Sequence, residues 1–296
     1  MKNPFKKINA YWAFRLAALS VLSGRAYQHL FWDAPFRELL WDERWMRPFV
    51  ENVLGWPWRD WVTSPVVDAG IQHLITGMGI FYALAALSVV FAEKLHGRLL
   101  SFFMWASTFL LSLLALMYWK EKFFHLGQLF EFSLQIIAPV LFLLSQNRGA
   151  SALRPRLQWI KPAIALTFIC HGLYAIGVYP RPGDFVTMMM QGLWLSEDHA
   201  MQALYLAGSL DFIAAVALFI PGKPGKIALW YCIIWGLLTA LARVWAHFHL
   251  PFWEQSLHQW AWQTVVRLPH FLVPLGVLGL VESGEAVESG KSVEVV

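Results

Sequence analysis

Along this chain apolar residues come in runs of about twenty, the length a helix needs to cross a hydrocarbon layer roughly 30 Å thick. Eight such runs predict membrane spans at residues 11–31, 67–91, 98–119, 126–145, 159–178, 199–220, 226–249 and 264–281. The bilayer core holds no water for backbone N–H and C=O groups, so each span must satisfy its own, and a helix does that. The expected fold is therefore all-α, a polytopic membrane helical bundle. The punctuation agrees. Ser64-Pro65 reads as an N-cap followed by proline at the first helical position, Ser196 as the cap of the sixth span, and residues 221–225 (Pro-Gly-Lys-Pro-Gly) as a tight turn. From 283 to 296 the chain is polar and acidic, which predicts a disordered tail.

Composition removes several classes of function. Hydrophobic residues make up 58% of the 296 and charged residues only 14%, a balance that overrides the soluble-domain expectation from length. The net charge of +4 is spread through the connections, with no basic run to track a phosphate backbone, so nucleic acid is not an expected partner. It reads instead as topology. With a cytoplasmic N-terminus, eleven Lys and Arg fall in inner segments and seven in outer ones, which predicts a multi-pass protein of the cell inner membrane with both termini in the cytoplasm. Arg15 interrupts the first apolar run and no small-x-small site follows before Arg25, so that run is expected to stay as a membrane helix. Cys170 and Cys232 both lie in apolar segments and form no metal or redox motif, as packing residues would.

The non-membrane mass then lies outside, chiefly in a Trp-rich loop at residues 32–66 whose stretch Phe36 to Leu54 mixes apolar and charged residues like an interfacial helix. The chain also matches itself weakly. Gly24-Arg25-Ala26-Tyr27 meets His171-Gly172-Leu173-Tyr174, the stretch from Gly79 meets that from Gly208, and the stretch Glu131 to Pro139 meets Arg267 to Pro274. An even number of spans per half makes the halves parallel. The expected organisation is a first four-helix repeat over residues 1–150 and a second over 151–282.

Ionisable residues are placed one-sidedly. With that topology Arg25, His29, Glu131, His171, Arg243, His247, Arg267 and His270 fall in the outer halves of their spans and Asp211 near the midplane, while the inner half offers little beyond Arg15. Buried charges cost roughly 2.5–3.5 kcal/mol each at the bilayer centre, so they should face one another or a wet cavity. Arg25/His29 and Arg243/His247 are four apart and Arg267/His270 three apart, each pair projecting from one helix face. Glu131 and Gln135 are also four apart, and Asp211 sits on a face of small residues where it needs a partner, for which Arg243 or Arg25 is at a fitting depth. As a site, Arg25, Glu131, Gln135, His171, Asp211, Arg243 and Arg267 would bind an anion or carbonyl, while His29, His247 or His270 would exchange protons. As structure, the same residues would form an inter-helix ion network that fixes packing. No pair of His or carboxylate residues has metal-ligand spacing within a span, so no metal is expected.

The second half, from Leu166-Thr-Phe-Ile-Cys-His-Gly172 through Gly208-Ser-Leu-Asp211 to Ala242-Arg-Val-Trp245, resembles the DoxX/DoxD-like membrane protein superfamily. The long outer loop is similar to the related membrane domain of vitamin K-dependent carboxylases. The first resemblance implies a quinone-linked redox component with quinone as cofactor. Two other readings of the residues stand beside it: a transporter or binder of a small anionic or quinone-like molecule, and a non-catalytic assembly partner of a membrane or periplasmic protein.

Overall fold

The computed structural model describes residues 9–288, which are almost entirely helical, with no strand among them. Six segments are long and apolar enough to cross a membrane: Pro65–Val90 (α5), Gly97–Glu121 (α6), Leu126–Arg148, Glu197–Ala217 (α11), Lys223–His247 (α12) and Leu250–Glu285. The protein is a multi-pass helical membrane protein. Two of the expected spans, Ala10–Phe31 (α1) and Leu157–Ala175 (α9), are not in this set. The reason lies in their residues: α1 carries Arg15, Arg25, Gln28 and His29, and α9 carries Lys161 and His171. Fourteen of the 22 residues of α1 and eleven of the 19 of α9 are buried, against seven of 21 in α11, so both serve as interior helices.

The connections between long helices are of two kinds. Short helices follow α1, α6, α9 and α12: Arg37–Leu40 (α2), Glu43–Asn52 (α3), Trp58–Thr63 (α4), Leu126–Glu131 (α7), Gly183–Leu193 (α10) and Trp253–Val265 (α13). These cover one end of the bundle, where the connections are tied to the long helices and to one another. Lys120 pairs with Asp42 at 2.6 Å, His125 stacks on Tyr179 at 4.7 Å, and Tyr27 meets His258 at 2.5 Å. The other end is closed by tight turns and by polar clasps that join Arg15 to Glu93 and Lys226 to Glu285.

Local chemistry sets the boundaries. The side chain of Ser64 accepts from the Val67 amide and that of Ser196 from the His199 amide, capping α5 and α11 where the sequence predicts. The expected interfacial stretch folds as α2 and α3, with Asp42 capping α3. The fourth expected span is broken into α7 and Ser133–Arg148 (α8) at Phe132. The last helix, Pro269–Glu288 (α14), runs beyond the point where a disordered tail is expected, because Lys226 holds Glu285 and gives the added turns a partner. Residues 289–296 of that expected tail lie outside the described residues. Around α1 pack α5, α8, α13 and α14, and around α9 pack α7, α8, α11 and α14, so one apolar core with Phe14, Leu22, Phe142, Phe168 and Leu278 joins both halves.

Candidate functional site

Helices α9, α10, α11 and α12 enclose a cavity of about 660 Å³. Its walls are apolar and soft, with Phe185, Met188 and Met189 from α10, Leu204 from α11, and Trp235 and Leu238 from α12. Three ionisable side chains break this lining: His171 of α9, Asp211 of α11 and Arg243 of α12. Asp211 is 1% exposed and accepts a 2.8 Å hydrogen bond from the Tyr231 hydroxyl. The partner expected for it, Arg25 or Arg243, is not within ion-pair distance. Twenty residues separate Asp211 from Tyr231, and no sequence signal linked them.

Arg243 is the most informative residue of the three. It is 8% exposed, its Nη1 donates only to the Thr239 carbonyl of its own helix at 3.2 Å, and no carboxylate oxygen of the described residues comes within 4 Å. A guanidinium cannot give up its charge in a protein, so a buried one that lacks a counter-ion is costly unless something else supplies acceptors. The cavity is where those acceptors would sit.

Behind His171 the polar groups continue. Its Nε2 lies 3.4 Å from Glu131, which in turn lies 4.0 Å from Arg267. The His171 ring is also 5.5 Å from that of His270, whose two ring nitrogens are buried without a partner. Glu131 belongs to the first half by sequence but reaches across to the second, because α7 packs on α9.

A second cluster, built on α1, is separate in kind. Arg25 is 3% exposed, and it donates to the side-chain oxygens of Gln28 at 2.5 Å and Gln135 at 2.6 Å. Its guanidinium lies over the Phe132 ring at 4.9 Å and the Tyr118 ring at 5.8 Å. Gln28 passes the network on to the Tyr118 hydroxyl at 2.7 Å and the Asp33 carbonyl at 3.0 Å. This cation is held at both Nη atoms by neutral acceptors and lies against aromatic faces, while its Nε is buried without a partner.

The i,i+4 spacing of the Arg–His pairs has a different outcome from the one expected. His29 Nδ1 sits 2.8 Å from the Arg25 carbonyl and His247 Nδ1 2.9 Å from the Arg243 carbonyl, so each ring turns back on its own helix. In that geometry Nδ1 carries the proton and donates it to the carbonyl. His29 then packs edge-on to Tyr82 at 5.2 Å, and His247 stacks on Trp260 at 3.8 Å. Neither lines the cavity. Of the ten candidate residues, His171, Asp211 and Arg243 face it, Glu131, Arg267 and His270 stand behind it, Arg25, His29 and Gln135 form the α1 cluster, and His247 lies to one side.

The α10 wall was not predicted from the sequence. Phe185, Met188 and Met189 recur at a spacing of three to four, and that stripe was the available signal. Among the described residues, no cluster of three or more His, Cys, Asp or Glu side chains is placed to hold a metal. Comparison with protein-family models finds no match, and neither curated proteins nor solved structures match the chain.

Proposed function

We propose that this protein binds a quinone-class molecule in the α9–α12 cavity, as a DoxX-like membrane component with that cavity opening outward. The observation that carries the reading is Arg243, a buried cation with no carboxylate oxygen within 4 Å among the described residues, on the wall of a largely apolar cavity of about 660 Å³. That volume lies within the usual range of roughly 300–1,000 Å³ for small-molecule sites. A flat ring with carbonyl oxygens suits it: Trp235 and Phe185 offer faces, Arg243 donates to one oxygen, and His171 and Asp211 exchange protons at the ring's edge. A bound quinone supplies coupled electron and proton transfer. This chain's own residues hold and orient the ring and exclude water.

The proposal includes two parallel four-helix repeats, eight spans in all, with α1 and α9 as the interior members. The element order supports it, since each half runs long helix, short outer helix or helices, two long helices, short helix, long helix. A shared close approach supports it too. A Cβ added at Gly79 of α5 would fall 3.0 Å from the His29 Cβ and 2.9 Å from the Leu30 Cγ. One at Gly208 of α11 would fall 3.2 Å from the Ala175 Cβ and 2.7 Å from the Ile176 Cγ2. Glycine thus lets the second helix of each half lie against the end of the first. In this reading the short helices face out of the cell, and both termini lie in the cytoplasm of an inner-membrane protein.

Tryptophan emission of the purified protein, titrated with a benzoquinone, tests the site. Quenching through Trp194, Trp235 and Trp245 should saturate, and Arg243→Leu should weaken binding by about 10- to 100-fold, the worth of one charge-assisted hydrogen bond. Saturable binding that is unchanged in Arg243→Leu would place the ligand elsewhere and remove the proposal.

A further inference from the structure

The cavity does not end at its own lining. A second depression of about 990 Å³ adjoins it on the α10/α12 face, and Trp194, Leu241 and Trp245 line both. Beyond that shared wall the depression is bordered by Met190, Leu195 and Val244, so it continues the cavity's apolar character. Its surroundings are exposed apolar side chains. Leu238 and Leu241 are 53% and 45% exposed and Trp245 is 66% exposed, although all three also line the cavity. A side chain that is exposed on one side and lines the cavity on the other forms a thin wall.

That wall is held shut lightly. The Trp245 indole N–H donates to the Gly192 carbonyl at 2.9 Å, near the end of α10. Gly192 is what allows this contact, since a Cβ there would come 3.2 Å from the Trp245 ring. The next turn of chain carries strain, because Trp194 holds a left-handed backbone at φ 53°, a region that costs a residue with a side chain about 1 kcal/mol or more. Three successive methionines, Met188, Met189 and Met190, give α10 unbranched side chains that repack readily. No ion pair anchors the helix among the described residues.

From this we infer that the cavity takes a tail-bearing, bilayer-dissolved ligand, which passes sideways between α10 and α12 and leaves its apolar tail in the adjoining depression across Trp194 and Trp245. The inference rests on the quinone-class reading of the cavity and adds the route and the tail. It makes Trp194, Val244 and Trp245 determinants of tail recognition, distinct from the ring-binding His171, Asp211 and Arg243.

Lipid tails are as apolar as the depression, so a ligand tail gains little by exchanging one for the other. The discriminating test is therefore steric. The full chain in phosphatidylcholine nanodiscs is titrated with two probes, a dimethoxy-methyl-benzoquinone without a tail and the same ring carrying a decyl tail. Val244→Trp and Gln191→Trp fill the depression without altering a residue that lines the cavity. Each should weaken the tailed probe by about tenfold or more and leave the tail-less probe within about twofold. Equal effects on both probes, or none on either, would overturn the tail groove while Arg243-dependent binding of the tail-less ring kept the quinone reading standing. Failure of both probes to bind the parent protein would remove the quinone reading and this inference with it.

Discussion

The two halves of the molecule each bury an arginine beneath the same end of the bundle, and they treat it differently. Arg25 donates through its two Nη atoms to the oxygens of Gln28 and Gln135 and lies against Phe132 and Tyr118. Arg243 finds one carbonyl of its own helix and then a cavity. Neither has a carboxylate within 4 Å among the described residues. Burial of charge is thus not what separates the two arginines. The separation lies in whether the protein itself supplies the acceptors. In the first half it does so for both terminal nitrogens, with neutral amides that bring no compensating charge, although Nε is left without a partner. In the second Arg243 has one carbonyl of its own helix and otherwise faces the cavity.

The largest expected effect follows from that contrast. Arg25→Ala removes the donor to two buried amide oxygens and leaves space between α1 and α8, so the folded state should lose on the order of 3–5 kcal/mol. Arg243→Leu replaces a buried charge with no carboxylate within 4 Å among the described residues by an apolar side chain, and such replacements are often neutral or stabilising. Thermal unfolding of both variants in one detergent, followed by tryptophan emission, should show a deep drop for the first and little or none for the second. Equal drops would mean that Arg243, too, is a packing residue, and the comparison would collapse.

A smaller effect sharpens it. Tyr231→Phe takes away the 2.8 Å hydrogen bond that Asp211 accepts from the tyrosine hydroxyl, at a cost of about 1–3 kcal/mol for a buried group that loses a partner. Because Asp211 lines the cavity, a bound quinone should restore part of that loss, and the stabilisation by ligand should be larger in Tyr231→Phe than in the parent. Ligand-induced shifts in melting temperature measure this directly. No difference between the two would detach Asp211 from the ligand.

The sequence carried the frame of this comparison better than its content. Long apolar runs and the Ser64 and Ser196 caps were legible, because each depends on hydropathy or on chemistry within one turn of helix. What spacing could not show was where a side chain turns. Four residues put His29 on the face of Arg25 and His247 on that of Arg243, yet both rings bond back to the backbone carbonyl beneath them. Long-range partners were equally hidden. Glu131 joins His171 through the packing of α7 on α9, and Tyr231 reaches Asp211 across two helices. The cavity's fourth wall, α10, is a short helix of eleven residues in a connection, below the length at which membrane hydropathy marks a segment.

The same two halves differ in how their covers are fastened, and pH tells the fastenings apart. Over the Arg25 cluster, α2 and α3 are tied down by ions: Lys120 on Asp42, and Arg37 on Asp33 and Asp68. Over the cavity, α10 is held by apolar contact and the Trp245 hydrogen bond. The Lys120 ammonium, by its hydrogen bond, holds the Asp42 carboxyl below the ordinary aspartate range. The unfolded chain therefore takes up the proton first as pH falls. The stabilisation from Asp42 is whole above the ordinary aspartate value of about 3.9 and is lost as the pH drops through the lower value of the folded state. Asp42→Asn should accordingly cost a small amount of stability near neutrality and nothing in strong acid. Trp245→Phe removes a fastening that has no proton to lose, so its cost should not follow Asp42 through that window. Melting temperatures of the two variants across an acid series decide the matter: parallel curves would show that both covers are held alike, and that ionic ties do not set the first half apart.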